Sequence, residues 1–465
     1  MTVDSVLAAV AIAAMAGTGM VLAWWTGGPV GRPLEPGTPL RVLVITMAVL
    51  VVAGSVVLAA VGQVRGPLLV GGAMVVIGAG AWLGMRAWGR MDPTPTHVSS
   101  DPVRWPFVAG AALVGGLALT SIMVRAGIAL LSDDPQGSRG AFAGLVFDVF
   151  RWLVPPAALV TLAWALAEPT RSRLACAGVA LAGVVGLEVL LASRALPFEL
   201  VASALLIVWW SGRRLRRIGW LGLGIGAAVL FIGVLLLRMG PEASFRDPLD
   251  ALGFVVDRTV GRVILIQPQT VDVAVETIPD QEPYWAGATY LRRLGQLFGN
   301  TTDHPPLGSW LYSHLFPGAP PAFAAPGILA EGWVNAGLPL ALGLLFVLGI
   351  GAQGLGRLLG ALGPGPVDRA AAAVVSVAVA RTYATSLNGF LLSVAVAAAW
   401  WCLVRPGSSD LLRGAARRLS GARRRSSTTG GAGQGAVDAA AGNSEAGTGA
   451  NQSAMSARTL SRRSS

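Results

Sequence analysis

Apolar runs of roughly twenty residues, separated by short arginine-bearing breaks, set the rhythm of this chain. A helix needs about 20 apolar residues to cross the hydrocarbon core of a bilayer. By that measure, spans are predicted near 3–25, 41–62, 67–88, 106–131, 142–167, 174–193, 197–211, 217–238, 328–352, 367–385 and 388–405. The expected fold is therefore all-α: a polytopic integral membrane protein with about 11 transmembrane helices. The rhythm fails between the eighth and ninth runs. Four regions follow: an N-terminal bundle over 1–238 (about 8 spans), one large extracytoplasmic loop over 239–327, C-terminal transmembrane helices over 328–405 (about 3 spans), and a tail over 406–465. The tail is Gly, Ser, Ala and Arg without apolar periodicity, so a disordered basic cytoplasmic segment is expected.

Composition agrees with this pattern. A mean hydropathy of +0.63 with only 13% charged residues is that of a membrane protein rather than a soluble domain. The formal charge of +11 is carried by arginine in short loops and the tail, which marks topology and affinity for anionic lipid and speaks against nucleic acid as a partner. Arg86, Arg90 and Arg104 share one loop, Arg171 and Arg173 another, and Arg213, Arg214, Arg216 and Arg217 a third. With eleven spans, all three fall on the side of the tail arginines, predicting a cell-membrane protein with its N-terminus outside and its C-terminus cytoplasmic. The first run lacks the basic flank of a signal peptide and counts as a span. The long loop then lies outside, and its nine acids against five arginines give it a formal charge of −4. Cys176 and Cys402 lie in apolar runs and suggest neither a disulfide nor a metal site.

Ionisable groups inside spans need a reason, because one at mid-bilayer costs on the order of 2.5–3.5 kcal/mol. They are Arg125, Asp148, Arg151, Glu188, Arg238, Glu331 and Arg381, with Arg194 and Glu199 at a helix mouth. Asp148 and Arg151, three residues apart on one helix, can neutralise each other. Arg194, Glu331 and Arg381 have no opposite charge within a helical turn, which makes them candidates for function. In the loop, Arg258 and Arg262 project from one helical face, where two guanidiniums suit a diphosphate. The segment Tyr284 to Phe298 sets aromatics and leucines opposite Arg292 and Arg293, as expected of a helix in the membrane interface. His304 and His314 follow. His304 is a candidate general base, and no ligand spacing for zinc is present. Glu331, at the outer end of the ninth span, could orient or deprotonate a hydroxyl.

Four short strings give these residues a common frame: ASRALPFELV (192–201), YWAGATYLRRL (284–294), AEGWVNAGLPLAL (330–342) and ARTYATSLNGFL (380–391). With the layout of many spans, one late outer loop and a few closing spans, the chain resembles the Wzy-type oligosaccharide repeat-unit polymerases. These are the O-antigen and exopolysaccharide polymerases of the GT-C superfamily, related to O-antigen ligases. The resemblance covers roughly 140–405. It implies a glycosyltransferase of polysaccharide biosynthesis that joins repeat units carried on undecaprenyl diphosphate at the outer face of the membrane, without metal or cofactor. Partners implied with it are the lipid-linked oligosaccharides, the bilayer, a flippase and a chain-length regulator. On this footing Arg194, Arg258, Arg292 and Arg381 would bind the diphosphate, Glu331 would position the acceptor and His304 would serve as base.

Two other readings stay open from the sequence. Asp133 and Asp134 imitate the acidic pair of GT-C transferases that use polyprenyl-phosphate sugars. A transporter or flippase of lipid-linked glycans would also be polytopic, although internal repeats are not visible.

Overall fold

The computed structural model describes residues 3–26, 38–88, 103–128, 145–191, 195–212, 261–297, 304–319, 323–362 and 365–405, with isolated positions at 233, 250 and 253–254. All regular structure among them is helical. In order these are α1 (Val3–Thr26), α2 (Thr38–Met47), which runs through a π turn (Ala48–Val52) into α3 (Ala53–Ala60), α4 (Arg65–Trp88), α5 (Trp105–Ala126), α6 (Leu145–Ala167), α7 (Arg171–Leu190) and α8 (Ala195–Trp210). A π turn at Gly261–Leu265 leads into α9 (Ile266–Thr277), followed by α10 (Ala288–Leu297), α11 (Leu307–Leu315), α12 (Gly327–Leu362), α13 (Pro366–Ala380), a 3₁₀ turn (Arg381–Tyr383) and α14 (Leu387–Val404).

Among the described residues, eight helical segments are long and apolar enough to cross a membrane: 4–26, 39–60, 65–88, 105–125, 147–167, 171–190, 327–359 and 387–404. The chain is a multi-pass membrane protein. Three of the eleven expected spans stand apart. The eighth, 217–238, lies outside the described residues, as do nearly all of 239–260 and the tail. The seventh is a 16-residue helix. The tenth is shorter than expected: α13 has 15 residues and gives way to the 3₁₀ turn at Arg381. All of α13 except Val374 is buried, against α2, α6, α8 and α14. A helix enclosed by neighbours is buried on every face, so here the apolar run records burial among other helices.

Small residues fix the direction of packing. Gly71 lies against Ile12 and Met15 and Gly78 against Gly19 and Leu22, so α1 and α4 run parallel. Gly80 meets Phe346 and Gly84 meets Gln353, so α12 runs parallel to both. Close backbone approach at such residues replaces the hydrophobic drive that lipid cannot supply. The starts of α1, α4 and α12 therefore share one end of the bundle, called the near end below. At the far end, Gln353 Nε2 donates to the carbonyl of Thr26 (3.1 Å), and the Arg104 amide donates to the carbonyl of Val404 (3.1 Å).

The expected outer loop is partly built into the core. Val271, Ala274, Val275 and Ile278, at helical spacing, join the buried cluster formed by α1, α2, α4 and α12. On the adjoining face Asp272 Oδ1 accepts from the amide of Gly66 at 2.9 Å, which ties α9 to the start of α4. Trp333 Nε1 donates to the carbonyl of Ile278 (2.9 Å) and ties it to α12. The described residues of 266–297 and 304–319 are thus held at the near end by buried contacts.

Candidate functional site

Two polar clusters form at the near end. The first collects charges from helices far apart in sequence. Glu199, in the first turns of α8, receives Arg381 Nη1 at 2.5 Å and has Arg151 Nη2 at 3.7 Å. The expected pairing of Arg151 with Asp148 does not occur: among the described residues Arg151 is shared with Glu199 instead. Glu188, buried near the end of α7, lies in the field of both Glu199 and Arg151. Glu188 Oε2 and Glu199 Oε1 are buried without a hydrogen-bond partner. The Arg381, Arg151 and Glu199 side chains are only 24%, 35% and 21% exposed, so their charges act through a medium poorer in water than the surface.

The second cluster is made of hydrogen bonds among three segments. Glu331, one turn into α12 and 1% exposed, accepts the Leu387 amide on Oε2 at 2.7 Å. Its carboxylate so meets the positive N-terminal end of α14, a favourable place for an anion. Ser386 caps that end by accepting from the Gly389 amide. A turn further along α12, Asn335 Nδ2 donates to Thr289 Oγ1 (2.6 Å) and to the Glu331 carbonyl (2.7 Å), while its Oδ1 accepts the Thr289 amide (3.4 Å). Asn388 Nδ2 donates to the Tyr290 carbonyl at 3.2 Å. The Tyr290 hydroxyl is buried without a hydrogen-bond partner. Burial, and then the charge of Glu331, hold this phenol well above its ordinary range, so it stays a neutral hydroxyl.

Beyond Asn335 the helix breaks: Ala336 and Gly337 leave helical geometry, Gly337 with φ 71°. The chain 285–286 fills the gap, the Trp285 and Ala286 amides donating to the carbonyls of Val334 (3.0 Å) and Asn335 (3.1 Å). Trp285 also carries an aromatic stack. The His304 ring lies on it at 4.6 Å and 19°, Trp310 meets it edge-on at 5.4 Å, and Trp310 Nε1 donates to Glu282 (3.1 Å). His314 packs on Trp310 and lies 4.0 Å from Glu282.

Of the residues expected to act, Glu331 and Arg381 lie at the two ends of the short connection between α13 and α14. Arg292 Nη1 donates to the main-chain carbonyl of His304 at 2.6 Å. That contact brings Arg292 and His304 together and holds the segment bearing His304 over Trp285. Arg194 and Arg258 lie outside the described residues, as do Asp133 and Asp134. Neither Cys176 nor Cys402 forms a disulfide. Among the described residues no group of three His, Cys, Asp or Glu side chains could hold a metal ion. Sequence reasoning missed Glu199 as the partner of Arg381, and the roles of Thr289, Tyr290 and Asn388. Each lay within one of the four quoted strings, but nothing local in them showed which would meet.

No protein-family model, curated protein or solved structure matches the chain. The all-α, multi-pass architecture is compatible with a GT-C type polymerase and is not specific to one.

Proposed function

We propose that this protein polymerises undecaprenyl-diphosphate-linked oligosaccharide repeat units at the outer face of the cytoplasmic membrane, with the near end facing outward. One observation carries the reading. The four strings that resemble the polymerases, far apart in sequence, meet at one end of the bundle: Glu199 with Arg381, and Thr289 and Tyr290 with Glu331, Asn335, Leu387 and Asn388. In the reaction an acceptor hydroxyl oxygen attacks the anomeric carbon of the growing glycan. The bond to the diphosphate oxygen breaks, and the lipid diphosphate leaves with that electron pair. Arg381, with Arg151 beside it, supplies fixed positive charge for the leaving group. Glu331, held by the start of α14, and Asn335 orient the acceptor. The hydroxyl proton passes to His304, whose stack on Trp285 fixes its ring.

Purified protein given lipid-linked repeat units should produce a polymer ladder. Arg381→Ala and Glu331→Gln should each cut it by about 100-fold, the scale of one fixed electrostatic group, while single units persist. Undiminished polymer from both variants would refute the assignment. The break in α12 favours a second reading, since discontinuous helices line the substrate sites of many transporters. Passage of a labelled lipid-linked oligosaccharide across liposomes with no polymer formed would select that reading.

A further inference from the structure

The far end carries a charge that the near-end site does not use. Arg369, the fourth residue of α13, is 2% exposed, and its Nε and Nη1 have no hydrogen-bond partner. Its sequence neighbour Asp368 is already engaged. Asp368 Oδ1 accepts Trp401 Nε1 at 2.6 Å and pairs with Arg405, and Oδ2 accepts the Gly365 amide at 3.1 Å. A second buried arginine, Arg41, lies four residues into α2, which packs along α13. The charge of Asp368 acts on Arg369 but leaves its Nε and Nη1 without an acceptor. A buried charged donor left unsatisfied is costly, so an anion that accepts from it is favoured. Side chains on a helix lean toward its N-terminus, and Arg369 sits about 4.5 Å along the axis from the start of α13. Its guanidinium is thereby carried toward the far end.

That end has the marks of a membrane–water boundary. Arg41 stacks over Trp24, Arg86 over Trp82, Arg173 over Trp164 and Arg405 over Trp401, all at helix ends away from the near-end clusters. Tryptophan and arginine gather at headgroup depth. Basic sites between membrane helices take acidic headgroups.

We infer that Arg369 forms an anion site at the far end of the bundle that takes the phosphate of an anionic phospholipid. The guanidinium donates to phosphate oxygens through N–H groups that have no protein partner. The site does not depend on the reaction proposed at the near end.

The full chain, purified in detergent, is titrated with phosphatidylglycerol, phosphatidylcholine or inorganic phosphate and followed by native mass spectrometry and thermal unfolding. Wild type should retain phosphatidylglycerol in preference to phosphatidylcholine and gain thermal stability from it. Arg369→Met should lose at least tenfold in that binding and show no gain, while Arg369→Lys keeps part of it. Arg86→Met, which removes an exposed arginine from the same end, should bind as wild type does. In the absence of lipid, Arg369→Met should be at least as stable as wild type, which also guards against misfolding as the cause of lost binding. Equal phosphatidylglycerol binding by wild type and Arg369→Met would overturn the site. Equal protection by inorganic phosphate would replace the lipid with a free anion.

Discussion

The Arg381–Glu199–Arg151 group makes an asymmetric prediction. Glu199 answers two cations, at 2.5 and 3.7 Å, whereas Arg381 is paired with the single carboxylate. Removing Arg381 as Arg381→Met leaves Glu199 with Arg151, and the methionine stem still fills the space. Removing the charge of Glu199 as Glu199→Gln leaves two partly buried guanidiniums close together without the carboxylate they share. Breaking a fully buried pair costs about 3–5 kcal/mol, and the exposure of these side chains lowers that figure. About 2–3 kcal/mol is expected for Glu199→Gln and about 1–2 kcal/mol for Arg381→Met, with a coupling of about 1–2 kcal/mol between them. In a chain of this size each kcal/mol moves the midpoint by about 2 °C or less. The assay is thermal unfolding of both single variants and the double variant in one detergent at low salt. A larger loss from Arg381→Met than from Glu199→Gln, or strict additivity of the two, would show that Glu199 is not the shared counter-charge.

Asp272 and Gly337 give two further tests. Burial raises the pKa of Asp272 above its ordinary 3.8, partly offset by the Gly66 amide, and Glu276 beside it is raised for the same cause and by Asp272 itself. A carboxyl raised in the folded state adds stability in full below its unfolded value, and this is lost as pH rises through the folded one. Stability should therefore fall as pH climbs from about 4. Asp272→Asn, which keeps an acceptor for Gly66, should flatten most of that slope in a pH series of unfolding midpoints; an unchanged slope would contradict the burial argument. Gly337→Ala should destabilise by about 1–3 kcal/mol, because φ 71° is strained for a side chain and the new methyl would press on the Tyr284 hydroxyl. A neutral effect in the same thermal assay would show that the break in α12 does not require glycine.

The apolar runs by themselves determined an all-α, membrane-embedded chain, because bilayer thickness sets a length that can be counted along the sequence. They also made Glu331 and Arg381 stand out, since a charge within a greasy run is conspicuous without coordinates. Local periodicity could not say that α13 is walled in by protein rather than lipid, for both surroundings select the same apolar residues. Nor could it pair Glu199 with Arg381 across 182 positions or set Glu331 against the start of α14. Those partnerships depend on helix direction, tilt and the depth at which each helix begins, and only packing in three dimensions fixes these. The same holds for Arg292, one of whose N–H groups meets the His304 carbonyl: a guanidinium's partner is decided by which backbone passes within its reach.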